Sequence, residues 1–210
     1  MEDYLRTTIE TYNQIAQNYV NTTSDIRPQP EFEAFCQAIK PEGKVLDIGC
    51  AWGRDSKSFF ERGFSVIGVD LSSEMLKIAK KLAPGCSFVL ADLRSLPLAD
   101  NCADGIWCCA TLLHLKRSEI IKALLEFKRV LRANAPCYIQ VKKGTGEEIV
   151  GQSFSQGKQR FFTYFHENEI RVICQSAGFR IINEHIYNEK DRHGPNSRDQ
   201  EQLCFLILKI

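Results

Sequence analysis

Between residues 44 and 141 the chain alternates short β-branched apolar runs with longer stretches of helical period, and this alternation restricts the fold more than any other feature. Residues 44–48, 64–69, 86–91, 104–110 and 137–141 read as strands. Between them, residues 54–62 read as a helix that Gly63 ends, and Ser72 caps a helix running to Leu82. Ser118 is expected to cap a third helix, in which Ile120, Leu124, Phe127 and Leu131 share one face. Residues 167–177 give a further helix, stopped at Gly178, and residues 179–186 and 203–210 give the last two strands. Such an order predicts an α/β fold: a seven-stranded, mostly parallel sheet with helices on both faces. Residues 187–202 join the last two strands without a helical pattern, which suits an antiparallel pair, so one strand near an edge is expected to run in reverse.

Two regions stand outside the alternation. Residues 1–40 hold two helical patterns separated by Arg27-Pro-Gln-Pro30 and read as a helical cap on the domain of residues 41–210. Within the cap, Tyr12, Ile15, Ala16 and Tyr19 fall at helical spacing as a packing stripe. Residues 142–165 read as a long polar insert ending in the aromatic run Phe161, Phe162, Tyr164 and Phe165, followed by His166. A loop of that length in a compact domain is commonly functional. Its aromatics read equally as a satellite core or as a substrate wall.

The balance of 27 Lys and Arg against 26 Asp and Glu argues against a general nucleic-acid surface. Nine cysteines, an odd number with no C-x-x-C pair and no zinc-ligand spacing, indicate a reducing compartment and no metal site. The polar first residues carry no secretory signal and no apolar run is long enough to span a membrane, so the expected location is the cytoplasm.

Ligands of open α/β sheets bind beyond the carboxyl ends of the strands. There the sequence places Asp47, Gly49, Cys50, Ala51 and Gly53 after the first strand, Asp70 and Leu71 after the second, Asp92 and Leu93 after the third, and Thr111 to His114 after the fourth. Asp70 stands 21 residues beyond Gly49, where a carboxylate accepts hydrogen bonds from ribose hydroxyls. A nicotinamide dinucleotide would require G-x-G-x-x-G, but Ala51 and Arg54 occupy the second and third glycine positions, and Asp47 would repel a pyrophosphate. A nucleoside with a cationic sulfonium meets no such repulsion, which favours S-adenosylmethionine.

These segments together resemble the class I S-adenosylmethionine-dependent methyltransferases, and among them the small "type 11" group. The resemblance rests on Val45-Leu-Asp-Ile-Gly-Cys-Ala-Trp-Gly-Arg-Asp55, Val66-Ile-Gly-Val-Asp-Leu-Ser-Ser-Glu-Met-Leu76, Phe88-Val-Leu-Ala-Asp-Leu93, Leu112-Leu-His114 and Glu126-Phe-Lys-Arg-Val-Leu-Arg132, in that order. It implies a Rossmann-like sheet. It also implies a methionine-side loop of Asp47, Gly49, Cys50, Ala51 and Gly53, a ribose ligand in Asp70, adenine contacts from Leu71, Asp92 and Leu93, and a lid that brings Tyr19 to the cofactor. Ala51 departs from the usual glycine and crowds the turn by one methyl, and Trp52 is an unusual neighbour there.

Methyl transfer from a sulfonium is an in-line displacement that needs alignment and desolvation, with a general base where the acceptor is a hydroxyl. His114, Tyr164 and His166 are the candidate bases, although a histidine after Leu112-Leu113 also suits simple packing. The Asp/Asn-Pro-Pro-Tyr signature for planar amino nitrogens is replaced by Cys108-Cys-Ala-Thr111. A small-molecule acceptor is the leading expectation. The rivals are a tRNA-modifying enzyme, with Lys142, Lys143, Lys158 and Arg160 on phosphates, and a non-catalytic partner protein of the same fold.

Overall fold

The computed structural model describes residues 2–24, 26, 28–151, 155–195 and 197–210. Two helices come first, α1 (Asp3–Thr23) and α2 (Gln29–Ala38), followed by β1 (Lys44–Ile48), α3 (Arg54–Glu61), β2 (Ser65–Asp70), α4 (Ser73–Leu82), β3 (Ser87–Leu90), β4 (Gly105–Cys109) and α5 (Ile120–Val130). The second half adds β5 (Pro136–Lys142), β6 (Glu147–Gly151), β7 (Gln159–Thr163), α6 (Glu167–Ser176), β8 (Phe179–Asn188), α7 (Glu189–His193) and β9 (Glu201–Lys209).

Seven strands form one sheet in the order β3-β2-β1-β4-β5-β9-β8. The first five are parallel, and β9 runs antiparallel to both β5 and β8, so one strand next to the edge is reversed. Residues on alternate sides of each strand feed two cores. Leu46, Ile48, Ile106, Cys108, Ile139 and Phe205 meet α5 and α6 through Leu124, Phe127 and Ile170. Val45, Trp107 and Tyr138 meet α2 and α3 through Phe32, Phe35 and Phe59. On this second side Trp107 and Tyr138 stack with ring centroids 4.0 Å apart.

Three local expectations are corrected. Ser118 does not cap a helix. Arg117–Glu119 forms a single 3-10 turn, in which the Glu119 carboxylate accepts the Lys116 amide at 3.2 Å, and α5 begins only at Ile120. The insert of residues 142–165 is not a loop: β6 and β7 pair antiparallel as a separate two-stranded sheet, although residues 152–154 lie outside the described residues. The link of residues 187–202 carries the short helix α7, whose start Asn188 caps through the Lys190 amide at 2.9 Å.

The hairpin and α1 form a joint cover. The Phe161 amide donates to Thr8 Oγ1 at 2.9 Å, Thr11 Oγ1 donates to the Gln159 carbonyl at 2.6 Å, and the Tyr4 and Phe161 rings lie 4.5 Å apart. The insert aromatics therefore divide: Phe162 and Phe165 belong to the main core, while Phe161 packs under α1.

Candidate active site

The site begins where β1 stops. Gly49 has φ +71°, and a Cβ placed on it would lie 2.0 Å from Thr111 Oγ1, so only glycine closes this turn against the segment after β4. Gly53, at φ +83°, turns the chain into α3 with Ala79 directly against it. Ala51 adopts a left-handed φ of 46° in spite of its methyl group. The Asp70 carboxylate fixes this shape by accepting the Ala51 amide on one oxygen and the Ser72 amide on the other, both at 2.8 Å. Burial raises the Asp70 pKa above the ordinary carboxylate value, against the pull of those amides.

Two adjoining cavities open over this turn. The smaller, about 120 Å³, is walled by Asp70, Leu71, Asp92, Leu93 and Ile9. The larger, about 360 Å³, is walled by Asp47, Cys50, Trp52, Gln140, Lys142 and Arg160. Tyr12, Tyr19, Gly49, Ala51 and His114 line both, so the two are halves of one cleft.

In the smaller half, apolar Leu71 and Leu93 suit the faces of a flat base. Asp92 is already engaged, because Arg94 meets its two oxygens at distances of 2.6 to 3.1 Å. Burial alone would raise the Asp92 pKa, but the Arg94 hydrogen bonds outweigh it and hold the group below the usual range. Arg94 also pairs with Glu2 and Glu119, and Tyr4 bonds Glu119, so this loop is tied to the start of α1.

In the larger half, Asp47 is buried and accepts a hydrogen bond from Ser56 Oγ at 2.6 Å. Burial first, and then the neighbouring Asp55, push its carboxyl upward. An arriving ammonium would return it to the charged form. The Trp52 indole donates to Thr23 Oγ1 at 3.1 Å and packs with Ala16 and Met75, joining α1 to the turn.

A polar chain crosses the mouth between the halves. Arg160 Nη1 donates to Tyr12 Oη at 3.0 Å, and Tyr12 Oη lies 2.9 Å from His114 Nε2. His114 Nδ1 lies 2.7 Å from the Phe161 carbonyl, which only accepts, so Nδ1 carries the proton and Nε2 receives the tyrosine hydroxyl. Burial, followed by the Arg160 charge, pushes His114 down to about 3. So weak a base does little to deprotonate a hydroxyl at neutral pH. Its geometry instead aims Tyr12.

The fold thus brings Asp47, Gly49, Cys50, Ala51, Asp70, Leu71, Asp92, Leu93, Tyr19 and His114 to one cleft. Gly53 lies under the turn rather than on the cleft wall. The other two candidate bases are placed elsewhere: the Tyr164 hydroxyl donates to Glu148 at 2.7 Å, and His166 Nε2 meets Thr145 Oγ1 at 3.0 Å at the start of α6. Tyr12 and Gln140 are wall residues that the sequence did not single out for the acceptor side, and Lys142 and Arg160, read from the sequence as phosphate contacts for a tRNA acceptor, stand in the same wall. For the two on β5 a signal existed. Tyr138, Gln140 and Lys142 share one face of the strand, and that face runs into the cleft.

The sequence showed no metal-ligand spacing, yet the fold assembles Glu31, His185 and Cys204, whose ligand atoms lie within 4.8 Å of one another. Glu31 in this group is occupied by Arg192, at 2.8 and 2.9 Å, and by His185, and Cys204 Sγ is 3.3 Å from the Tyr138 hydroxyl. A buried carboxylate paired in this way is a structural ion pair.

Comparison with known proteins agrees with this geometry. Residues 45–134 match the family described as a methyltransferase domain. The malonyl-[acyl-carrier protein] O-methyltransferase of Serratia marcescens is 26% identical over 146 residues, which cover 69% of this chain and 56% of the relative. The demethylmenaquinone methyltransferase of Renibacterium salmoninarum is 33% identical over 92 residues, covering 44% of this chain and 38% of the relative. Among solved structures, the 1,6-didemethyltoxoflavin-N1-methyltransferase of Burkholderia thailandensis matches with a TM-score of 0.79 at 20% identity, over 99% of this chain and 89% of that one. The chain spans about half the length, or less, of these curated relatives. Residues 45–134 thus match a methyltransferase domain, and the fold of the chain is that of solved S-adenosylmethionine-dependent methyltransferases.

Proposed function

We propose that the chain transfers a methyl group from S-adenosylmethionine to a small molecule seated between α1 and the β6–β7 hairpin. The observation that carries this reading is the divided cleft, with a base- and ribose-sized half at Asp70 and Leu71 and a roomier half roofed by Arg160, both meeting at Tyr12, Gly49 and His114. The bound cofactor supplies an electrophilic methyl on a sulfonium. The protein has four tasks. Asp70 receives ribose hydroxyls, Asp47 answers the cofactor ammonium, the Tyr12–His114 pair marks the junction, and the α1–hairpin cover excludes water.

A tRNA acceptor is less well supported. Of the four cations that suggested phosphate contacts, Lys142 and Arg160 are buried, at 3% and 1% exposure. Lys143 is paired with Glu167 and Glu201 at 3.1 and 3.2 Å. Lys158 alone is left on the outside, bonded to Gln14. A non-catalytic role gives no reason for the second cavity and its buried polar walls. No described helix is long and apolar enough to cross a membrane. The reading is tested by release of S-adenosylhomocysteine in a coupled assay against metabolite fractions and total tRNA. Turnover with a metabolite fraction is expected, and turnover with RNA alone would replace the acceptor class.

A further inference from the structure

The wall of the larger cavity holds a cation that the protein itself does not neutralise. Lys142 is the last residue of β5 and only 3% exposed. Its ammonium lies 3.8 Å from the centre of the Phe162 ring and 5.8 Å from that of Tyr164. Among the described residues, no carboxylate forms an ion pair with it and no side chain accepts a hydrogen bond from it. The polar groups around it are committed to one another. Arg198 grips Glu189 at 2.7 and 2.8 Å, Gln202 donates to Glu189 at 2.7 Å, Gln140 donates to Gln202 at 3.3 Å, and Tyr138 donates to Gln140 at 3.0 Å.

The charged groups facing Lys142 are Arg160 on β7, Arg198 before β9, Glu189 on α7 and Glu148 on β6; neutral His114 stands across the cleft. Burial, then Arg198 and Arg160, push the amine down to about 7. Keeping such a group buried is costly unless an anion visits it. The Phe162 ring returns part of that cost, and Arg160 lies over the same ring at 4.8 Å.

We propose that the methyl acceptor carries a carboxylate, and that the Lys142 ammonium, with the Arg160 guanidinium beside it, is the site that receives it. The assignment deepens the methyl-transfer reading and rests on it. A planar monoanion suits one permanent guanidinium together with one amine that charges as the anion arrives. Binding therefore takes up a proton at slightly alkaline pH. Apparent affinity is full at pH below the free Lys142 pKa and falls as pH rises through it, because the anion selects the protonated amine.

The test uses the protein saturated with S-adenosylhomocysteine, and benzoate, acetate, benzamide and methyl phosphate as probes. Binding is read by calorimetry in buffers of different ionisation enthalpy, and by the pH titration of the Lys142 ε-carbon in ¹³C-lysine-labelled protein. Benzoate and acetate are expected to bind in the millimolar range with proton uptake and to move the Lys142 midpoint upward, while benzamide does neither. Lys142→Met should weaken benzoate about tenfold or more and leave S-adenosylhomocysteine unchanged. The wild-type titration decides the question even where that variant fails to fold. An unmoved midpoint with both carboxylates at tens of millimolar overturns the proposal, as does a response to methyl phosphate alone. Weakened S-adenosylhomocysteine binding in Lys142→Met would assign the cation to the cofactor's own carboxylate and also overturn it. No S-adenosylhomocysteine binding to the wild type is a different failure, that of the cofactor reading itself.

Discussion

The Tyr12 hydroxyl donates to His114 Nε2 across 2.9 Å, joining the middle of α1 to the segment after β4 at the point where the two halves of the cleft meet. With the tyrosine as donor, this hydrogen bond exists only while His114 is neutral, because a protonated ring has no acceptor left. An unfolded histidine takes up a proton near 6.5, whereas burial and Arg160 hold the folded group at about 3. The stability that His114 contributes is therefore whole above about 6.5 and is lost as pH falls toward 3. Urea unfolding of wild type and His114→Gln across that window should give curves that separate at neutral pH and converge in acid. Parallel curves would contradict the assignment.

Gly49 is the tightest point of the site. With φ +71° and Thr111 Oγ1 at 2.0 Å from any added Cβ, Gly49→Ala should cost ~1–3 kcal/mol of stability or shift the turn out of binding geometry. Adding Thr111→Gly removes the clash but not the backbone strain. Thermal unfolding of the double variant should therefore recover part of the loss, and full recovery would show that strain at this φ is unimportant.

The cover moves as one body if the contacts between its two parts matter. Thr8→Val removes the acceptor of the Phe161 amide and should cost about 1 kcal/mol. Hydrogen exchange should show residues 3–23 and 159–163 gaining protection together when S-adenosylhomocysteine binds, with Thr8→Val reducing the gain in both. Protection confined to one segment would separate the lid into independent parts.

Much of this arrangement was legible in the sequence, for physical reasons. Parallel strands place their carboxyl ends on one edge, so Asp47, Asp70 and Asp92 converge once the strands are recognised. The hairpin was hidden because Glu147, Glu148 and Gly151 are poor strand formers, and pairing with residues 159–163 supplies what their local preference lacks. Tyr12 was hidden because helical spacing shows which face it occupies, not that its hydroxyl reaches past the packed ring to His114. Lys142 and Arg160 read as surface cations because their burial depends on the hairpin folding back over β5. The Glu31–His185–Cys204 group escaped detection because two sheet neighbours and a helix assemble it from distant parts of the chain.

The turn after β1 and the Asp70 carboxylate together are the proposed S-adenosylmethionine site. Titration calorimetry with S-adenosylhomocysteine and NAD, on wild type and Asp70→Ala, tests it most directly. S-adenosylhomocysteine is expected to bind and NAD is not, and Asp70→Ala is expected to weaken binding by ~1.5–3 kcal/mol through loss of charge-assisted hydrogen bonds. Equal affinity in wild type and variant, or NAD binding in place of S-adenosylhomocysteine, would contradict it.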